Sequence, residues 1–311
     1  MPQVISLGNM LVEIMRVNLD EPLDQPGSFV GPFPSGDTPI YIDTVARLGY
    51  SAGFIGVVGN DGFGHLLLER LSSDGVDCSP VRVMNDNTTG TAFVAYFKDG
   101  SRSFLYHWAH AAAGQLAPSD VRPEYIAQAK WLHVTGCNLA ITSSACMACY
   151  AAVRCLPPAA TVSFDPNIRP GALTIAEIRS LCQPVIERAG VLFPSLGEAA
   201  MLTDTATDEI GCRRWAEMGK VVALKMGAKG CRIFAQGADV TVPAYPVQEV
   251  DPTGAGDSFS AGFTVARLEG LDLEQAGRFA NAVGALAVTK KGPMEGAPWR
   301  KDVEMFMAEV R

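Results

Sequence analysis

Short apolar runs, each closed by Gly, Asn, Asp or Ser, alternate with longer amphipathic stretches along most of this chain, and no other feature restricts its fold as much. PQVISLG, SAGFIGVVG, WLHVTG, TVSFDPN, GVLFPS and VVALKMG are short, apolar and ended by turn residues, which is how strands buried on both faces read. Between them come TPIYIDTVARLG, FGHLLLERLSSDG, SSACMACYAAVRC, TIAEIRSLCQPVIERAG and ATDEIGCRRWAEMG, with helical patterns. Such alternation predicts a doubly wound α/β domain whose mainly parallel sheet is flanked by helices. Ligands of these sheets bind beyond the carboxyl ends of the strands. The 311 residues are enough for one such domain with a large core, expected to span 1–311 as a single unit.

Two stretches break the alternation. Residues 11–33, LVEIMRVNLDEPLDQPGSFVGPF, and 88–108, TTGTAFVAYFKDGSRSFLYHW, look like strands with polar interruptions, the second turning as a hairpin at Lys98-Asp99-Gly100. Strands that leave the main sheet from two places and pair with one another would form a small β lid over its binding edge. A lid with Phe93, Tyr96 and Phe104 on one exposed apolar face would favour a homodimer. No internal repeat, low-complexity tract or interdomain linker stands out.

Charge and composition remove several classes of function. With 25 Lys and Arg against 33 Asp and Glu, the net charge is −8 and no run of like charge appears, so a nucleic-acid groove is not expected. The start, MPQVISLGNMLVEIM, has no basic leader, and no stretch of about 18 uncharged apolar residues occurs. These features predict a cytoplasmic protein that does not enter a membrane. The eight cysteines then read as reduced, mostly buried thiols. Cys146 and Cys149 form a C-x-x-C pair, but no second pair follows at a metal-like interval, and positions three apart share one face of the helix expected there. His133, inside an apolar run, reads as a satisfied strand histidine, whereas His107 and His110, beside Tyr106 and Trp108, are candidates to line a pocket.

The chemistry is concentrated in EVDPTGAGDSFSAGFTVARLEG, residues 249–270. Gly254, Ala255 and Gly256 let backbone N–H groups approach a ligand closely. If a helix opens there, those amides lie at its positive end, suited to a phosphate or a developing anion. Asp257 follows directly and can take a proton from a hydroxyl while the amides hold the phosphoryl group under attack. A plain tight turn, with Asp257 as a first-turn acid that favours the helix dipole, is the competing reading.

DPTGAGDSFSAGF closely resembles the C-terminal signature of the ribokinase-like, or PfkB, carbohydrate kinases. ARLG at 46–49, GVVGNDGFG at 56–64, FDPNIRP at 164–170, KMGAKG at 225–230 and ANAVGALAVTKKG at 280–292 follow in that family's order, so the resemblance covers nearly the whole chain. It implies the ribokinase-like fold and Mg-ATP-dependent phosphorylation of a sugar hydroxyl, with Asp257 as base and the amides of Gly254, Ala255 and Gly256 as anion hole. By the same resemblance Lys225, Gly227 and Gly230 line the ATP pocket and Asn281 contacts adenine. Glu198 positions Mg2+ through water, and Asp251, Thr253 and Gly292 hold a monovalent cation such as K+. Glu13, Gly36, Asp37, Tyr106, Asn167 and Arg169 are the implied sugar contacts.

Four positions depart from the family pattern. Its Gly-Gly reads Ser35-Gly36, a usual Asn aligns with Ile40, its Asn-x-x-Glu reads Ser195 to Glu198, and a common Gly-Glu reads Gly8-Asn9. The lid return SRSFLYHWAHAAAGQLAPSDV looks most like those of 2-keto-3-deoxygluconate kinases and of tagatose or fructose kinases. Acid-sugar kinases usually carry an Arg soon after the Tyr, but His107 and Trp108 follow Tyr106 here. A neutral ketohexose is therefore expected, with 2-keto-3-deoxygluconate or a nucleoside as alternative substrates. A sugar- or nucleotide-binding regulator without turnover is the reading from a different class.

Overall fold

A computed structural model describes residues 2–168 and 173–309. Its main sheet has ten strands. The order across it is Ala238–Val242, Cys231–Ala235, Val221–Lys225, Val191–Leu192, Thr161–Asp165, Trp131–Thr135, Val4–Gly8, Ala52–Gly59 and Val76–Asp77, with Arg82–Met84 also on Ala52–Gly59. Pairing is parallel except at one edge, where Cys231–Ala235 runs antiparallel to both Val221–Lys225 and Ala238–Val242. The chain leaves Val4–Gly8 toward one edge and later returns at Trp131–Thr135 to build the other half. The switch point therefore lies between those two strands, and their carboxyl ends open the crevice that a ligand uses.

Alternating side chains divide the core between the two faces of the sheet. Ile5 and Leu7 join the cluster that includes Cys149, Cys182 and Trp215, while Val4 and Phe54 join the cluster with Tyr41, Phe263 and Val283. Each large apolar side chain fully buried this way contributes about 1.5–3 kcal/mol. Cys146 and Cys149 lie buried on the helix Ser143–Cys155, where burial pushes both thiols up and makes them unreactive. His133 is wholly buried. Its Nδ1 is 2.8 Å from Ser163 Oγ and its ring stacks on Tyr41 at 3.8 Å, but Nε2 finds no hydrogen-bond partner among the described residues. The satisfied histidine expected from the sequence is thus only half satisfied, and burial holds the ring neutral.

A second, four-stranded sheet takes its strands from the two stretches that broke the alternation, in the order Phe29–Ser35, Leu11–Arg16, Gly90–Tyr96, Arg102–His107. The two middle strands run parallel and the outer pairings are antiparallel, with a shift in register between Glu13 and Met15. The hairpin turns through Gly100, whose φ is 83°. Strand register opposes Val94 to Phe104 and Tyr96 to Arg102, which puts these residues on one face. Phe93 and Leu105 stand opposite each other on the other face, where Phe93 meets Phe29 edge-on at 5.6 Å. The exposed apolar face imagined from Phe93, Tyr96 and Phe104 is thus corrected, because a period of two cannot put residues 93 and 96 on one side. The exposed apolar residues of this sheet and its connections are Val17, Leu19, Phe29 and Leu105.

Candidate active site

The helix Ala255–Leu268 begins where the sequence suggested. Gly254 precedes it with φ 81°, and a methyl group on that residue would sit 2.4 Å from the Pro293 carbonyl oxygen, so only glycine fits. Ser258 N donates to Gly254 O at 2.9 Å, whereas Ala255 N reaches Pro252 O only at the 3.4 Å limit of a hydrogen bond. First-turn amides have no acceptor inside their own helix, so this turn offers donors to a ligand.

Two adjoining cavities meet at that turn and share Lys225, Pro252 and Gly256. The inner one is lined by Glu13, Gly36, Asp37, Tyr106, Asn167, Thr253, Gly254 and Asp257 among others. The outer one, about 520 Å3, is lined by Gly227, Gly230, Tyr245, Ala255, Asn281 and neighbouring apolar residues. Seventeen of the eighteen sequence-derived site residues fall within these linings or directly behind them, as Glu198, Asp251 and Gly292 do, with Ala255 confined to the outer cavity; the eighteenth, Arg169, lies outside the described residues.

Asp37 organises the inner cavity. It opens the helix Asp37–Arg47 and is 7% exposed. Its Oδ1 accepts from Thr38 N at 2.8 Å, Asn9 Nδ2 at 3.1 Å and Asn138 Nδ2 at 3.2 Å. Its Oδ2 accepts from Thr135 Oγ1 at 2.7 Å and Asn167 Nδ2 at 2.8 Å. These donors come from the carboxyl ends of the strands at the switch point, so Asp37 ties the sheet to the cavity floor. Glu13, beside it, accepts from Ser35 Oγ at 2.7 Å. The opposite wall is a ladder along the last strand of the small sheet and the residue just after it: Arg102, Phe104, Tyr106 and Trp108 all line the cavity. Tyr106 stacks on Trp108 at 4.1 Å and on Phe104 at 5.4 Å. His107 points to the other face, 6.3 Å from Phe93, and neither His107 nor His110 lines the cavity, which corrects that expectation.

Lys225, at the end of a strand, makes an ion pair with Asp165. Burial opposes its charge, but Asp165, Glu198 and Asp257 together outweigh burial and hold the ammonium charged, above its ordinary range. Burial pushes the Asp165 carboxyl up, against the pull of Lys225. Glu198 lines neither cavity. Its Oε1 accepts from Ile168 N and its Oε2 from Ser195 N, both at 2.7 Å, and burial followed by the nearby Asp165 pushes its carboxyl up.

Asp251 and Gly292 also stand behind the cavity. Asp251 Oδ1 accepts from Tyr96 OH at 2.9 Å and Thr253 N at 3.0 Å, and Oδ2 from Gly292 N at 2.9 Å. Tyr96, which the sequence placed on the lid's apolar face and not at the site, thereby joins the small sheet to the loop before the helix. In the outer cavity Asn281 donates from Nδ2 to Val242 O at 3.1 Å and Pro243 O at 2.9 Å. Its amide protons are therefore occupied in pinning a loop, and only Oδ1 remains for a ligand.

A doubly wound sheet with two cavities that converge on a glycine-opened helix defines a phosphoryl-transfer enzyme of the small-molecule kinase class. Residues 32–300 match a family model described as pfkB family carbohydrate kinase, and the chain belongs to that family. It is 30% identical to fructokinase-1 of Oryza sativa subsp. japonica over 98% of this chain and 97% of that protein. It is 31% identical to the 2-dehydro-3-deoxygluconokinase of Bacillus subtilis (strain 168), over 86% of this chain and 84% of that one. The crystal structure of an E. coli protein provisionally named Ribokinase II, in complex with ATP and Mg2+, superposes with a TM-score of 0.94 at 38% identity, covering 99% of this chain and 100% of that one. The chain is a sugar kinase.

Proposed function

We propose that the protein transfers the γ-phosphoryl group of ATP to a hydroxyl of a neutral ketohexose such as fructose or tagatose. The observation that carries this reading is that Asp257 and Gly254 line the inner cavity, Ala255 lines the outer one, and Gly256 lines both. A sugar in the inner cavity would be gripped by Glu13, Asp37 and Asn167, along the turn at Gly36 and under the Tyr106 ladder, with Arg169 as a further contact from the sequence pattern. Carboxylates and amides arranged in this way suit a polyhydroxyl ligand, and stacked rings suit its C–H face. ATP would fill the outer cavity, whose volume lies in the range of about 300–1,000 Å3 usual for small-molecule sites. Gly227 and Gly230 leave room there for purine and ribose, and Asn281 offers one acceptor.

Asp257 accepts the proton of the attacking hydroxyl while the amides of Gly254, Ala255 and Gly256 hold the phosphoryl oxygens. No group of three His, Cys, Asp or Glu side chains among the described residues is placed to hold a metal ion. The Glu198 carboxylate, held behind the inner cavity by Ile168 N and Ser195 N, suits Mg2+, which keeps several waters and takes few carboxylates when phosphates are present. Glu198 would hold it through water, where the ion would offset phosphate charge. Asp251 is 2% exposed and, among the described residues, has hydrogen-bond donors but no ion pair. A monovalent cation such as K+ near Asp251, Thr253 and Gly292 would neutralise it. Val17, Leu19, Phe29 and Leu105 favour a homodimer through the small sheet acting as a lid. All eight cysteines are free, as a cytoplasmic protein requires.

Asp257→Asn against a panel of sugars tests the assignment, with a loss of about 100-fold or more in turnover expected. ATP consumption near the wild-type rate would refute it. Arg102, facing the inner cavity, favours a second reading in which the sugar carries a carboxylate, so 2-keto-3-deoxygluconate belongs in the panel.

A further inference from the structure

Lys225 stands at the seam between the two cavities, and its surroundings are unusual for a structural lysine. It lines both cavities together with Pro252 and Gly256, and its side chain is 12% exposed. A methyl group placed on Gly256 would lie 3.3 Å from its Nζ and 3.8 Å from its Cδ and Cε. The ammonium therefore lies against the first turn of the helix Ala255–Leu268, where the helix itself presents partial positive charge. The carboxylates of Asp165, Glu198 and Asp257 offset the ammonium's charge, and an anion that enters the seam meets donors from both the ammonium and the helix turn.

The carboxylate that holds Lys225 lies behind the seam, against the next turn of the same helix. Asp165 binds Nζ through Oδ2, and the same oxygen accepts from Ser260 Oγ at 3.3 Å. Asp165 is 1% exposed and lines neither cavity. An ammonium has three donor hydrogens. Asp165 anchors one of them, which leaves the others available at the seam that a phosphoryl group crosses on its way from nucleotide to sugar.

We propose that Lys225 is a catalytic residue that binds the phosphoryl group in flight, and that Asp165 is the positioning residue that aims it. This rests on the kinase reading above. The bond between the γ-phosphorus and the bridging oxygen breaks and ADP leaves with the electron pair. The bond between the sugar oxygen and phosphorus forms, and the hydroxyl proton goes to Asp257. Lys225 keeps its own proton throughout and donates hydrogen bonds to oxygens whose charge rises as the bridge opens. Its contribution is therefore larger in the transition state than in the ground state.

Lys225→Met is expected to lower kcat about 100- to 1,000-fold, the usual range for losing one such donor, and to change KM for ATP only a few-fold. Binding supplies a second reading. ADP with aluminium fluoride and the preferred sugar should raise the Tm of wild type but not of Lys225→Met, while a non-hydrolysable ATP analogue should raise both alike. Ethylammonium should partly restore turnover to Lys225→Ala. If Lys225→Met fails to fold because Asp165 is left buried and uncompensated, Lys225→Met/Asp165→Asn removes both charges and is read the same way. Turnover within about fivefold of wild type in either variant, or an undiminished aluminium fluoride response, overturns the proposal and leaves Lys225 as a structural ion pair. A wild-type protein that phosphorylates no sugar in the panel would instead overturn the kinase reading on which it rests.

Discussion

The inner and outer cavities share one helix turn but are built in opposite ways. The inner wall is made of side chains brought from distant parts of the chain, among them Asn9, Glu13, Asp37, Tyr106, Asn167 and Asp257. The outer wall comes from residues 225–288 alone and is largely glycine, alanine, proline and backbone. A nucleotide presents the same purine, ribose and phosphates to every kinase, so a surface of shape and amides is enough for it. A sugar differs from other sugars by the direction of single hydroxyls, and only placed side chains can read that direction.

The contrast predicts that single substitutions have large effects inside and small ones outside. Asp37→Asn should have the largest. It removes a charged acceptor of five hydrogen bonds, each worth about 1.5–3 kcal/mol when one member is charged. We expect kcat/KM for the sugar to fall about 100-fold while affinity for an ATP analogue stays within about threefold, measured by steady-state kinetics and calorimetry. Equal losses for both ligands would break the comparison.

Asn281→Ala should have a smaller effect. The loop at Val242 and Pro243 loses two donors, so KM for ATP should rise about threefold to tenfold with KM for the sugar unchanged. A sugar effect as large as that of Asp37→Asn would show that the outer wall is not independent.

The smallest effect concerns the support of the inner wall rather than its surface. Asp43 is buried on the same helix as Asp37, and Arg70, which bonds it at 3.1 Å, also holds Met294 O at 2.7 Å. Burial pushes the Asp43 carboxyl up to about 7, against the pull of Arg70. The folded protein therefore keeps a proton that the unfolded chain releases near the ordinary value of about 3.9. Stability from this group is fully present below that value and is lost as pH rises through about 7. Thermal melts of Asp43→Asn and wild type should show the variant gaining a few degrees relative to wild type between pH 5 and pH 8. A constant difference would mean that Asp43 is ionised throughout.

The same contrast explains which parts of the site could be read in advance. Gly254 to Asp257 were legible because their geometry is local: a glycine at positive φ, a helix opening and an acid in the first turn lie within a few residues. The ladder from Arg102 to Trp108 was half legible. Tyr106 was named, and the period of two along a hairpin strand was the signal that would have added Arg102, Phe104 and Trp108. Asn138, Thr135 and Asp165 gave no such signal, because nothing near them in the chain shows that they meet Asp37 or Lys225. Asn281 was named and lines the outer cavity, but its occupied amide appears only when the loop at Val242 and Pro243 folds beside it.

The sequence by itself determined the doubly wound sheet, the family and the glycine-opened helix turn, since each follows from periodicity or from residues adjacent in the chain. Only the tertiary structure decided that Asp37 draws its donors from three other segments, that Tyr96 reaches Asp251 and that Lys225 lies where the cavities meet. The physical reason is that a hydrogen bond or an ion pair depends on a few ångströms in space, and contacts between residues a hundred positions apart are set by how the whole sheet closes.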